Sequence, residues 1–337
     1  MDSLTQIVLG AAVGEAVLGK KVGNKAILYG AIAGTIPDLD TLAGFFTDTV
    51  TAIEIHRAFT HSILFVMVFA PIFGFLVSKI ERKSAATWKN WSWLFFWGLI
   101  THPILDAFTT WGTQLFWPLK TELAFKSIFV IDPLYTLPLF ICLVLAMRQK
   151  KGSWKRIKYN TLGLILSSSY LLIGLVLKGV AFTRFEKSLK QQNISYRQME
   201  TRPSPMNTVL WNANVELENA YLIGDYSFFD KQPIHFQQHP KNHHLLASLA
   251  KLPKVQRLIA ISNGWYSISK EEGALVFNDL RFGKLNPYEK NSPFVFSYKL
   301  IETPNGLQIK EVEKKPRDAQ KMLVDLWDRI LGNRWKT

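Results

Sequence analysis

Long apolar stretches crowd the chain between Ser3 and Phe182 and then stop, and nothing else in the sequence limits the possible folds so tightly. The clearest run from Ser62 to Ile80, Trp91 to Thr110, Ile128 to Met147 and Thr161 to Phe182. Each approaches the roughly 20 residues that a helix needs to cross a bilayer. Two shorter ones, Leu4 to Gly19 and Ala26 to Pro37, are rich in Gly and Ala, as closely packed or half-spanning helices are. Their unbroken apolar character excludes barrel strands, which alternate. An α-helical polytopic membrane domain with about six transmembrane helices is expected over residues 1–184.

The net charge of +14 would by itself fit a nucleic-acid partner, but the placement of the basic residues argues for topology instead. Lys20, Lys21 and Lys25 separate the first two apolar segments, and Lys79, Arg82 and Lys83 follow the third. Arg148, Lys150, Lys151, Lys155, Arg156 and Lys158 lie between the fifth and sixth. Those loops are expected in the cytoplasm, with both chain ends outside a multi-pass cell-membrane protein and no nucleic acid bound. Met1-Asp2-Ser3 lacks the positive start of a secretory signal, so the first apolar segment is expected to be retained. The single cysteine, Cys142, excludes a disulfide within the chain and reads as a small buried apolar residue. Trp88, Trp91, Trp93, Trp97, Trp111 and Trp117 bracket the fourth apolar segment as interface anchors.

After Arg184 charges and prolines become frequent. Val209–Leu217, Ala220–Phe228, Arg257–Ser269, Ala274–Phe282 and Phe294–Glu302 have the aromatic and β-branched character of short strands. Asn263-Gly264, Glu272-Gly273 and Asn305-Gly306 read as turns between them, and Asp318–Leu331 as a terminal amphipathic helix. Residues 185–337 are therefore expected to form a mainly β extracytoplasmic domain with a C-terminal helix.

Three of the seven histidines lie in the membrane half. His56 and His61 occur in His56-Arg57-Ala58-Phe59-Thr60-His61-Ser62, and a five-residue step turns an ideal helix by about 140°, so their rings converge only if His56 belongs to the preceding loop. His102 and Asp106 are four apart and share a helix face. Asp38 and Asp40 follow Pro37 at the outer end of the second apolar segment. The derived topology puts all these groups on one side of the bilayer. Ionisable side chains in a span are costly and mark function by default. Imidazole and carboxylate together suit zinc first, and also manganese or iron, whereas calcium or magnesium favours oxygen alone.

Met1-Asp2-Ser3-Leu4-Thr5-Gln6, Pro37-Asp38-Leu39-Asp40, the His56–Ser62 motif and His102-Pro103-Ile104-Leu105-Asp106 together resemble the YdjM-type membrane-bound metal-dependent hydrolases over roughly the first 140 residues. The pattern is more distantly similar to zinc-dependent phospholipase C. The resemblance implies that Asp38, His56, His61, His102 and Asp106 are metal ligands and that a lipid, lipid-linked or other phosphoester is the substrate. Many relatives carry Thr-His near the N-terminus where this chain has Thr5-Gln6, which implies a ligand missing or replaced.

Bland alternatives stand beside each residue. His56 and His61 suit an interfacial hydrogen-bonding pair, Asp38 and Asp40 a helix cap, and Arg57 a snorkelling cation, although beside a metal it would bind a phosphate. Asp40 or Glu15 is the expected base or orienting group, and Glu15 equally suits a buried structural pair. His235, His239, His243 and His244 read as a solvated loop, because Pro233, Pro240 and Asn242 interrupt a helix there. Two other functions fit the same residues: a divalent metal-ion transporter or sensor, and a non-enzymatic membrane scaffold stabilised by metal. Against transport, no second layer of acidic or histidine residues leads to the cytoplasmic side.

Overall fold

The computed structural model describes residues 1–271, 273–286, 292–304, 306–314 and 319–333. Glu272, Asn305 and Asp318, named above in two turns and a helix start, lie outside the described residues. Nine α-helices are described: α1 (Ser3–Val22), α2 (Asn24–Thr35), α3 (Thr49–Ile55), α4 (Ile63–Ile80), α5 (Trp88–Asp106), α6 (Pro133–Met147), α7 (Trp154–Gln191), α8 (Pro253–Ile261) and α9 (Ala319–Ile330). Eight strands accompany them: β1 (Gln198–Pro203), β2 (Leu210–Glu216), β3 (Ala220–Ser227), β4 (Phe236–Pro240), β5 (Tyr266–Glu271), β6 (Ala274–Lys284), β7 (Phe294–Thr303) and β8 (Gly306–Glu311). The chain divides into a helical unit, Met1–Phe45, Ile55–Leu177 and Pro205–Thr208, and a second unit, Phe46–Glu54, Lys178–Ser204 and Val209–Thr337.

In the helical unit, α1 and α2 approach with backbone against backbone. A Cβ built on Gly30 would lie 2.3 Å from the Gly10 carbonyl oxygen, and one on Gly34 would lie 2.4 Å from that of Gln6. Only glycine permits this contact, the device by which small residues join helices in membranes. Side-chain caps set where helices begin: Asp2 accepts from the Thr5 amide, Ser62 from Phe65, and Asp132 from Leu134 with Pro133 in the first turn, as Asp-Pro foretells. Val8, Ala12, Leu105, Ile128, Tyr135 and Leu139 form one core, and Phe65, Val66, Trp91, Leu94 and Leu99 another. Trp91 is thus a core residue, edge-on to Tyr29 at 5.0 Å, and not an interface anchor.

Among the described residues two helices, α4 and α7, are long and apolar enough to cross a membrane. Six crossings are not supported, and the reasons are physical. α2 has 12 residues and α6 has 15, short of the length required. α1 and α5 have the length but bury polar groups, Gln6 and Glu15 in one, His102 and Asp106 in the other.

The second unit contains two four-stranded antiparallel sheets in the orders β1-β2-β3-β4 and β5-β6-β7-β8, which bears out a β domain. Leu258, Tyr266, Ile268, Phe277, Tyr298 and Leu300 build its largest core, and the Asn214 side chain reaches from the first sheet to the Leu280 carbonyl of the second at 2.7 Å. The strand expected over Arg257–Ser269 is instead α8 followed by a turn and β5. Pro253 starts the helix, Val255 and Leu258 are buried at helical spacing, and Asn263 and Gly264, both at positive φ, end it. Of the histidines expected in a solvated loop, His235 is exposed and outside any helix or strand, whereas His239 lies in β4 opposite Tyr221 and His243 starts a 3₁₀ helix, stacked on Tyr266 at 4.0 Å.

Candidate metal centre

Four segments of the helical unit converge. The 3₁₀ helix Pro37–Phe45 brings Asp38 and Asp40, a second one, Phe59–His61, brings His61, and the last turn of α5 brings His102 and Asp106 on one face. α1 adds Gln6, whose Nε2 donates to Asp106 Oδ1 at 2.9 Å and to the His102 carbonyl at 3.3 Å. The Met1 amine also contacts Asp106 Oδ1.

One ligand atom each from Asp38, His61, His102 and Asp106 lies within 4.8 Å of all the others. The two Nε2 atoms are 3.2 Å apart, Asp38 Oδ1 is 3.4 Å from His61 Nε2 and 3.3 Å from His102 Nε2, and Asp106 Oδ2 is 3.5 and 3.7 Å from the same atoms. Each imidazole is steered from its far side. His102 Nδ1 bonds the Gly34 carbonyl at 2.7 Å, and His61 Nδ1 faces Thr60 Oγ1 at 3.1 Å and Asp40 Oδ2 at 3.3 Å. That arrangement turns both Nε2 atoms toward the carboxylates, as imidazoles around a metal are turned. Asp106 Oδ2 is buried and accepts no hydrogen bond, although the Arg57 guanidinium lies 3.3 Å from it, so it has lone-pair capacity for a further cation. Two imidazoles and two carboxylates fit a divalent metal of the zinc, manganese or iron kind.

The charges are strongly coupled. Burial would raise the Asp38 carboxyl, but hydrogen bonds from His102 and His61 hold it well below the usual range. Asp40 is likewise held low against burial by His56 and His61. His61, which burial would lower, is pushed up to about 10 by the Asp106, Asp38 and Asp40 carboxylates. Three carboxylates gathered in one place require positive charge: the Arg57 guanidinium and the Met1 amine face Asp106, and a protonated imidazole or a metal ion can supply the rest.

His56 stands outside the four-group cluster. Its Nδ1 is 2.8 Å from Asp40 Oδ1, its ring is edge-on to Trp111, and a quarter of its side chain is exposed. Asp40 also accepts from the Arg57 amide at 2.9 Å and from Thr60 Oγ1 at 2.8 Å, so it braces the His56–His61 turn. Arg57 adopts a left-handed backbone, φ 64°, and points inward rather than to solvent. Its guanidinium lies 3.3 Å from Asp106 Oδ2 and donates to Thr109 Oγ1 and the Gly112 carbonyl. Glu15 is not brought to the site: it forms a buried bidentate pair with Arg156, both contacts 2.6 Å, about 13 Å along α1 from Gln6. Sequence reasoning missed the contributions of Gly34 and Gly112; Thr109, read from the sequence as bonding to the preceding turn, does donate to the Asp106 carbonyl at 2.7 Å and also accepts from Arg57. Gln6 had one signal, its position where relatives carry a histidine.

These features define a class, a helical membrane protein with a buried cluster of two histidines and two aspartates able to hold a metal ion. The YdjM inner membrane protein family model matches residues 1–181, more than half of the chain, and the chain belongs to that family. No curated protein and no solved structure matches it.

Proposed function

We propose that this protein is a membrane-bound metal-dependent hydrolase that cleaves a lipid or other phosphoester at the outer face of the inner membrane, with the β domain extracytoplasmic. The observation that carries this reading is the convergence of Asp38, His61, His102 and Asp106 within 4.8 Å beside a buried guanidinium. A divalent metal held by those four supplies Lewis acidity and makes water acidic enough to attack at neutral pH. Arg57 adds fixed positive charge at Asp106, where a phosphoester anion is stabilised. His56, partly exposed and oriented by Asp40, takes the proton of the attacking water. The water oxygen would bond to phosphorus, the bond from phosphorus to the alcohol oxygen would break, and the leaving alkoxide would take the proton that His56 had accepted and depart as the alcohol. Asp40, with both oxygens engaged, positions His56 and is not itself the base. The basic loops around α1, α4 and α7 support an outward-facing site.

Purified protein is expected to carry a stoichiometric divalent metal by elemental analysis, and His61→Ala and His102→Ala variants that still fold are expected to lose it. Phosphatidic acid and phosphatidylglycerol are the first substrates to assay. Unchanged metal content in both variants would overturn the reading.

A further inference from the structure

Ile7, Leu28, Ala31, Ile32, Thr35 and Leu39 are among the residues that line an open groove of about 270 Å³ along α1, α2 and the start of the 3₁₀ helix Pro37–Phe45. Nothing in it seeks water. The one polar side chain, Thr35, donates its hydroxyl back to the Ala31 carbonyl at 2.9 Å. Leu28, Ile32 and Leu39 are 56%, 41% and 52% exposed, large apolar surface for a residue run that is not itself a spanning helix.

The groove and the metal centre are built on the same turns. Gln6, which donates to Asp106, precedes Ile7. Gly34, which accepts from His102, precedes Thr35. Asp38, one of the four convergent groups, precedes Leu39. Asp38 is also where the cluster opens: its side chain is 19% exposed, whereas those of His61, His102 and Asp106 are 0% exposed. An apolar chain lying along the groove reaches Leu39, one residue from Asp38, the most exposed of the four convergent groups.

We propose that this groove binds the hydrocarbon tail of the substrate and sets its phosphate head at Asp38, so that the protein selects phosphorylated amphiphiles over water-soluble phosphoesters. The selection of substrate rests on the hydrolase reading above; the tail site itself does not.

Two measurements separate the claims. In nanodiscs of phosphatidylcholine doped with phosphatidic acid bearing a diazirine tail, the full-length protein is expected to be photolabelled along residues 28–39. Labelling there should exceed that at the comparably exposed α4 residues Met67 and Leu76 by about tenfold. It should fall to the α4 level in Ala31→Phe, which fills the groove, and in Leu39→Ala, which removes its wall beside Asp38. Equal labelling of groove and α4 in the unmodified protein means an ordinary lipid annulus and overturns the groove. In turnover assays, kcat/KM is expected to be higher for long-chain than for short-chain phosphatidic acid, with Ala31→Phe lowering only the former. Hydrolysis indifferent to tail length and to both substitutions overturns the groove and leaves the hydrolase standing. Selective labelling without hydrolysis of any phosphoester overturns the hydrolase and leaves a lipid-binding groove.

Discussion

Asp40 shows how much depends on a single carboxylate. It joins His56, the Arg57 amide and Thr60 in one turn, and that turn delivers His61 to the cluster. Asp40→Ala removes three hydrogen bonds from a buried acceptor, and a loss of about 2–3 kcal/mol is expected in detergent unfolding. Metal content should fall with it, because the turn that carries His61 loses its brace, and on the hydrolase reading any turnover should fall as well, because His56 loses its orientation. In the β domain, burial first and the Lys284 charge second push the His239 imidazole down from 6.5 to about 4. The unfolded chain therefore takes up a proton in that interval that the folded chain refuses. The contribution is fully present above pH 6.5 and is lost as pH falls toward 4. Melting temperature should decline across that window, and a His239→Gln variant should decline less. His102 and Asp106 were legible in the sequence because i, i+4 spacing on α5 dictates a shared face, while Asp38 and His61 followed from the family resemblance, which also named His56, a residue outside the cluster. The inward turn of Arg57 was not, because a left-handed φ at a non-glycine residue leaves no composition signal.

At the level of elements, α1 is fixed twice, by glycine contact to α2 and by charge to α7. Glu15 and Arg156 form a nearly enclosed pair, 4% and 3% exposed. Removing one partner leaves an uncompensated buried charge, and Glu15→Ala is expected to cost about 3–5 kcal/mol. The double replacement Glu15→Leu with Arg156→Leu should cost much less, which an unfolding titration in mixed detergent would measure. A near-additive loss would show that the pair is not the anchor. Glu15 was recognised in the sequence as either base or buried partner, and only the distant Arg156 decides between them. The same limit explains α8: Arg257–Ser269 has strand-forming residues, but Pro253, upstream of that window, and the burial of Val255 and Leu258 against the sheet select a helix. Hydropathy located every apolar segment, yet it overcounted crossings. α1, α2 and α5 are apolar mainly because they pack against one another around the cluster.

Across the whole molecule, the groups that face one another in the centre come from stretches as distant in the chain as Asp38 and Asp106. The family match covers the helical region and stops near the end of the sixth expected apolar segment. An ion held by residues so far apart in the chain would act as a removable staple. It would favour the assembled helices by an amount that grows with free metal, about 2.7 kcal/mol at a hundredfold excess over Kd. A strong chelator should therefore do more than silence chemistry: it should loosen α1, α2 and α5 from one another, expose their glycine seam to proteases, and tie the lifetime of the protein to the supply of the ion.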